Sequence, residues 1–256
     1  MTSATTPASG RAAAPAMRLL CLPYSGASAM IYARWKRLVP SWLEVVPVEL
    51  PGRGRRMDEP PRTDLTALAV ELADELAPET RGPFALFGHS LGGLLAFELA
   101  HALRGRGLGE PRMLFASAAA APSRREDGRW AEPLDDDGLI AEMRRLSGTA
   151  EEVFGNRDLL EMALPVLRAD FLLCGRYAYR RRPPLDCPIR VFGGMQDDIA
   201  ADRLRAWSAE TRGESTLEMF DGDHFFLRAH ERPLLDRLAE WLGRPADRPD
   251  AIAATA

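Results

Sequence analysis

The sequence predicts an α/β fold, with a mostly parallel central sheet flanked by helices. Three observations predict it. Six short apolar runs recur along the chain, stretches of helical period separate most of them, and one long interval between residues 121 and 189 holds helical patterns but no strand. Runs with few polar interruptions mark strands whose two faces are both covered by helices. Strands that alternate with helices build a parallel sheet.

The six runs are residues 19–22, 45–50, 84–88, 113–116, 189–192 and 217–220. After the second run, residues 64–77 place Leu65, Leu68, Ala69, Leu72 and Leu76 on one helical face. Thr63 precedes that helix and can cap the free amides of its first turn. Residues 91–104, 202–210 and 232–242 supply three further helices. Inside the long interval, residues 138–147 gather Leu139, Met143 and Leu146 on one side, with Glu142, Arg144 and Arg145 elsewhere. Residues 158–179 are long and amphipathic, and Pro165 is expected to start a second segment there, because proline disrupts a helix interior. A helical insertion of this kind, at about residues 123–185, reads as a lid over a site carried by the strand ends.

Composition narrows the function classes. The chain has 256 residues, 46% hydrophobic and 27% charged, with a formal net charge of −4. That is one sizeable globular domain, and its mild acidity argues against a nucleic-acid binder. The basic residues are 32 Arg and one Lys, Lys36, a skew that carries no functional information. No apolar run approaches the ~18 residues that span a bilayer. Residues 1–16 are small and polar, with Arg11 the one charge and no continuous apolar stretch, so a disordered leader is expected rather than a signal peptide. Residues 17–243 form the domain, and 244–256 are expected to be a flexible tail. Cys21, Cys174 and Cys187 are too few and too scattered for a disulfide framework or a zinc site. Free thiols in a reducing cytoplasm are the simplest reading, and with them a cytoplasmic location. A monomer is expected separately.

The sharpest signal is Gly88-His89-Ser90-Leu91-Gly92-Gly93, placed after an apolar strand and at the start of an apolar helix. A Gly-x-Ser-x-Gly in that context is a nucleophile elbow. A sharp strand-to-helix turn lifts the Ser90 hydroxyl into the open, and the flanking glycines avoid collisions with neighbouring backbone. Chance supplies on the order of 0.1 such matches in a chain of this length. The Leu91 amide, at the helix start, points at developing negative charge with the helix dipole behind it.

Serine needs a base, and the chain has four histidines. His89 lies within the elbow, His101 on the helix after it, and His230 near the last helix. His224 comes after the last strand, where an open α/β sheet places its reactive groups. His224 is therefore the expected base. The orienting carboxylate should fall between Ser90 and His224 in chain order. The segment Gly194-Met-Gln-Asp197-Asp198 offers two candidates: Asp197 is selected by its spacing from Gly194, and Asp198 stays as the alternative. Asp221 and Asp223 read as turn formers. The second oxyanion donor should come from the loop after the first strand, Leu22-Pro-Tyr-Ser25-Gly-Ala-Ser28, with the Ser25 amide as candidate. As hydroxyl groups, Ser25 and Ser28 read as caps for the next helix.

These residues resemble a known family. The chain is similar, over roughly residues 17–242, to the type II thioesterases, stand-alone editing hydrolases of polyketide and non-ribosomal peptide synthesis with an α/β-hydrolase fold. The resemblance rests on residues 22–28, Leu50-Pro-Gly-Arg-Gly54, Gly88-His-Ser-Leu-Gly-Gly93, Leu164-Pro-Val-Leu-Arg-Ala-Asp170, Phe192-Gly-Gly-Met-Gln-Asp197 and Gly222-Asp-His-Phe-Phe-Leu227. Two places depart from the pattern. The first loop reads Tyr-Ser-Gly-Ala where His-Ala-Gly-Gly is frequent, and Asp198 stands where proline is frequent.

The resemblance implies Ser90, Asp197 and His224 as a triad, with Ser25 and Leu91 as backbone oxyanion donors. It implies an acyl-phosphopantetheine thioester on an acyl or peptidyl carrier protein as substrate, with neither metal nor organic cofactor. Arg168 and Asp170 are expected to form a buried pair inside the insertion. Arg176 and Arg180–Arg182 are expected to form a solvated lid edge, with carrier docking there as the alternative. Two other enzymes could use the same groups: a carboxylesterase or lipase acting on small oxygen esters, and an acyltransferase or cyclase in which an alcohol or amine replaces water. A hydrolase-fold binding protein is a third alternative.

Overall fold

The computed structural model describes residues 16–125, 130–146 and 154–243. The expected tail, all but the last residue of the expected leader, and parts of the insertion therefore lie outside the described residues. Six strands form one sheet: β1 (Met17–Leu22), β2 (Leu43–Pro47), β3 (Phe84–His89), β4 (Leu114–Ser117), β5 (Ile189–Gly194) and β6 (Ser215–Phe220). Their spatial order is β2-β1-β3-β4-β5-β6, and every neighbouring pair is parallel. The α/β expectation holds, and all six predicted runs lie in or overlap a strand. The second run parts company at its end: β2 stops at Pro47, while Val48 and Leu50 leave the sheet yet stay buried.

The helices are α1 (Leu65–Glu75), α2 (Leu91–Gly105), α3 (Asp136–Arg145), α4 (Arg157–Gly175), α5 (Ala201–Arg205), α6 (Phe226–Ala229) and α7 (Glu231–Leu242). One sheet face packs on α1, α2 and Trp207. The other packs on Tyr32, Trp35, α6 and α7. The insertion has a small core of its own, built from Leu139 and Met143 of α3 and Leu164, Leu167 and Phe171 of α4.

Several sequence expectations need correction. Asp64, not Thr63, caps α1, its carboxylate accepting from the Ala67 amide at 2.9 Å. The 202–210 helix breaks into α5 and a 3-10 turn over Ala206–Glu210. Pro165 does not divide 158–179; α4 runs through it and ends at Gly175. Pro165 and Glu161, whose carbonyl loses its helical donor to the proline, are both exposed, so water can satisfy that group. Among the described residues no helix is long and apolar enough to cross a membrane.

The sheet has one topological switch, between β1 and β3: the chain leaves β1 for β2 on one side and returns to β3 on the other. The loops after β1 and β3 diverge there and open a crevice, the usual binding place in such sheets. The crevice requires bare backbone. A Cβ on Gly92 would sit inside the Leu22 carbonyl at the end of β1. Gly92→Ala should therefore cost at least about 2 kcal/mol in chemical denaturation. Gly105→Ala, at a helical position with open space around it, should add about 0.5–1 kcal/mol.

His101, on α2, is buried against Phe97 and accepts from the Arg104 guanidinium at 2.9 Å. Burial first, then the charges of Arg182 and Arg104, lower its pKa to about 3. The unfolded chain binds that proton near pH 6.5. Stability should therefore fall as pH drops from about 6.5 towards 3, because the unfolded state then holds more protons. In thermal melts across that window, His101→Gln should remove about one proton from the uptake on unfolding and flatten the acid decline in Tm.

Candidate active site

β3 ends at His89 and α2 begins at Leu91, so Ser90 alone makes the turn between them. Its backbone sits at φ 55°, ψ −119°, a region that residues with a side chain rarely occupy. Two contacts hold it there. The Ser90 amide donates to the Ser117 carbonyl at 2.8 Å, and α2 starts so close to β3 that a Cβ on Gly88 would overlap the Gly92 carbonyl. The turn carries the Ser90 hydroxyl to the carboxyl edge of the sheet.

His224 arrives from the other end of the sheet. The loops after β5 and β6 are tied together, with the Met195 amide donating to the Phe220 carbonyl at 2.8 Å and the Gln196 amide to the Gly222 carbonyl at 2.9 Å. This brings Asp197 to His224. Asp197 Oδ2 lies 2.9 Å from His224 Nδ1, and His224 Nε2 lies 2.9 Å from Ser90 Oγ. The imidazole bridges hydroxyl and carboxylate across 134 and 27 residues of sequence respectively. The Asp197 side chain is nearly inaccessible and also accepts from the Ile199 amide at 3.3 Å. Asp198 points away: its carboxylate is exposed and pairs with Arg145 of α3 at 2.6 Å.

The other sequence candidates have separate places. His89 is buried behind His224, the ring centroids 5.4 Å apart, with its Nδ1 2.9 Å from Ser117 Oγ. Burial, with the adjacent His224 second, holds its pKa well below the usual histidine value, so it is a neutral wall. His230 precedes α7, its Nε2 2.7 Å from the Asp221 carbonyl. Asp223 accepts from the Phe225 amide, as a turn former does. Ser28 caps the 3-10 turn at Ala29–Tyr32. The backbone amides of Ser25 and Leu91 have no acceptor among the described residues, and both residues line one cavity with Ser90 and His224.

That cavity has a volume of about 260 Å³. Ser90, His224 and Asp197 stand on one side; Met143, Leu146, Leu167 and Phe171 from the insertion form an apolar wall. Trp130 stacks on Phe171 at 4.9 Å and extends that wall. Buried Cys174 also lines it, its thiol pKa raised mainly by burial. The chemistry available is nucleophilic attack by a hydroxyl beside a base, with two backbone donors and, on the insertion side, an apolar wall for the electrophile's tail; Arg125, Arg145, Asp198 and Arg203 make the rest of the lining polar.

One expectation about the insertion fails and another holds in part. Arg168 and Asp170 do not pair, since residues two apart on a helix face different ways. Arg168 binds Asp136 and the Leu134 carbonyl, while Asp170 is fully buried against Arg53. The 176–182 cluster is only partly a solvated edge: Arg182 pairs with buried Glu98, while Arg176, Arg180 and Arg181 are exposed. Sequence reasoning alone does not single out Tyr24 and Arg145, which line the cavity, or Arg53, which holds Asp170. Arg53 stands in the Pro-Gly-Arg-Gly segment of the family pattern, which is a usable signal.

Comparison with known proteins identifies the family. A family model described as "Thioesterase domain" matches residues 17–244. "Gramicidin S biosynthesis protein GrsT" of Aneurinibacillus migulanus is 37% identical over 227 residues, covering 88% of this chain and 89% of the relative. "Linear gramicidin dehydrogenase LgrE" of Brevibacillus parabrevis is 41% identical over 221 residues, covering 85% and 84%. The dehydrogenase in that name belongs to the relative; here the loop after β1, Pro23-Tyr-Ser-Gly-Ala-Ser28, lacks the spaced glycines that seat a dinucleotide. The solved structure of "the type II thioesterase BorB from the borrelidin biosynthetic cluster" superposes with a TM-score of 0.83 at 41% identity, covering 91% of this chain and 96% of that one. With the whole folded body matched and a serine-hydrolase constellation at the sheet's edge, the chain belongs to the thioesterase family, among the type II thioesterases of non-ribosomal peptide and polyketide pathways.

Proposed function

We propose that this thioesterase hydrolyses acyl-phosphopantetheine thioesters on acyl or peptidyl carrier proteins, through Ser90, His224 and Asp197, and so clears aberrant acyl groups from a synthase. The observation that carries the reading is the His224 ring, 2.9 Å from Ser90 Oγ on one nitrogen and 2.9 Å from Asp197 on the other, at the edge of a cavity with one apolar wall. Nδ1–H donates to Asp197, which leaves Nε2 free to accept the Ser90 proton. Ser90 Oγ attacks the thioester carbonyl, and the amides of Ser25 and Leu91 hold the oxyanion. The C–S bond then breaks, and the phosphopantetheine thiolate leaves and takes the proton from His224 Nε2, giving an acyl-serine and a neutral imidazole. Water, deprotonated by His224, attacks that ester and releases the carboxylic acid, returning the proton to Ser90.

A thioester suits the site because a thiolate leaves readily and asks little of the general acid. The helices α3 and α4 act here as the lid, and their apolar side chains receive the acyl tail.

Ser90→Ala should lower kcat on an acyl-carrier thioester by at least about 10³-fold while the protein stays folded. Asp197→Asn should lower it by about 10⁴-fold through the wrong tautomer. Asp198→Asn, which removes an exposed ion pair at the cavity rim but leaves the carboxylate on His224 in place, should stay within about twofold. Equal losses at the two aspartates would reject the carboxylate assignment. Rates on acyl-carrier thioesters, short to long, beside matched small-thiol thioesters and oxygen esters test the substrate: preference for the oxygen esters would replace the thioester reading with an esterase one.

A further inference from the structure

Asp170 is a fully buried carboxylate on the helical insertion, and no step of the proposed reaction uses it. Its partners are not in the insertion. Arg53, in the loop after β2, meets it with two parallel hydrogen bonds, Nη1 to Oδ2 at 2.6 Å and Nη2 to Oδ1 at 2.7 Å. Oδ2 also accepts from the Gly26 amide at 2.7 Å. A bidentate arginine fixes the plane of the carboxylate as well as its position. The carboxylate therefore presents an aimed lone pair to one backbone amide, and that amide belongs to the residue after Ser25.

The same loop is gripped at further points. Tyr24 to Ala27 form a turn, the Ala27 amide donating to the Tyr24 carbonyl at 3.0 Å. Gly26 sits at φ +78°, as the third residue of a type II turn does. In such a turn the middle peptide, here Ser25–Gly26, has one of two orientations, and flipping it changes the turn type. The Asp170 bond to the Gly26 amide selects one. A Cβ on Gly26 would run into Leu167 of α4 at 2.7 Å, so the turn lies flat on that helix. The Arg53 guanidinium also donates to the Ala27 carbonyl at 3.5 Å, and the buried Glu49 carboxylate accepts the Ala29 amide at 2.9 Å.

We propose that the buried Arg53–Asp170 pair is a positioning device for the oxyanion loop: Asp170, held in plane by Arg53, grips the Gly26 amide and so pins the Tyr24–Ala27 turn, whose first peptide carries the Ser25 amide beside the cavity that Ser90 lines. This rests on the reading of the Ser25 amide as an oxyanion donor. Asp170 makes no contact with the reacting atoms. It acts through backbone, and its effect is felt where negative charge develops, in the tetrahedral state and less in the substrate complex. Asp170 is also unavailable as the carboxylate of His224, because Arg53 and Gly26 occupy it.

The test uses Asp170→Asn, which keeps an acceptor for Gly26 but breaks the matched fork, and Arg53→Lys, which keeps a charge opposite Asp170 without the fork. Both are assayed on a small acyl-thiol thioester, with a trifluoromethyl ketone as tetrahedral-adduct probe and Ser90 labelling to count active sites. Losing one oxyanion donor outright costs about 10²–10³ in kcat, so a displaced one should cost about 10-fold or more. The expected result is a loss of about 10-fold or more per labelled site in Asp170→Asn, carried in kcat with KM little changed. The ketone's affinity should fall in proportion, and the acidic limb of the pH profile should stay where it is. Arg53→Lys should show a smaller loss of the same kind, and it carries the test alone if Asp170→Asn does not fold.

A folded variant with kcat per labelled site within about twofold of wild type would overturn the proposal. So would a loss carried in KM with the ketone's affinity intact, or a shifted acidic limb. Absence of thioester turnover in the wild-type protein would instead reject the functional reading on which the proposal rests.

Discussion

The backbone of Ser90 is the constraint on which the rest depends. Holding a residue with a side chain at φ 55° costs on the order of 1–3 kcal/mol, and only surroundings that allow no alternative sustain it. The surroundings here are β3 and α2, joined without a spare residue, and glycines at 88 and 92 where backbone meets backbone. The same closeness puts the end of β1 beside the start of α2. The switch in strand order between β1 and β3 thus brings the loop after β1 to the side of Ser90 opposite His224's loop. The hydroxyl, the helix amides and the Ser25 turn meet because of the sheet's connectivity, with no long loop required to fold back.

The insertion is attached to this frame in two ways of unequal strength. α4 is fixed through Asp170 and Arg53, both removed from water, and breaking such a pair leaves a buried charge uncompensated. α3 meets the strand loops through Arg145 and the exposed Asp198, a contact of the kind that contributes about 0–1 kcal/mol. The chamber wall is therefore held firmly where it touches the Ser25 turn and weakly beside the Asp197 loop.

Much of this is legible in the sequence for identifiable reasons. Strands covered on both faces read as apolar runs, and α1 declares its buried face through Leu65, Leu68, Ala69 and Leu72. Ser90, Asp197 and His224 each sit at a strand end in a local pattern, so their convergence comes with the fold class. What escapes is either a matter of one residue or a matter of long range. Thr63 and Asp64 are both good caps, and composition does not choose between neighbours. Pro165 forecasts a break, but its exposure leaves the freed carbonyl solvated and the helix intact. The partner of Asp170 lies 117 residues away, and nothing in the spacing of the insertion points to it.

The central claim is that Ser90 carries the acyl group between two chemical steps. Rapid quenching of the enzyme with an acyl-carrier thioester, and then mass analysis of the intact chain and its peptides, tests this most directly. The expected result is an adduct of one acyl mass on the peptide that contains Ser90, rising with a burst of thiol release and decaying as free acid forms. Steady thiol release with no such adduct, or an adduct on another residue, would contradict it.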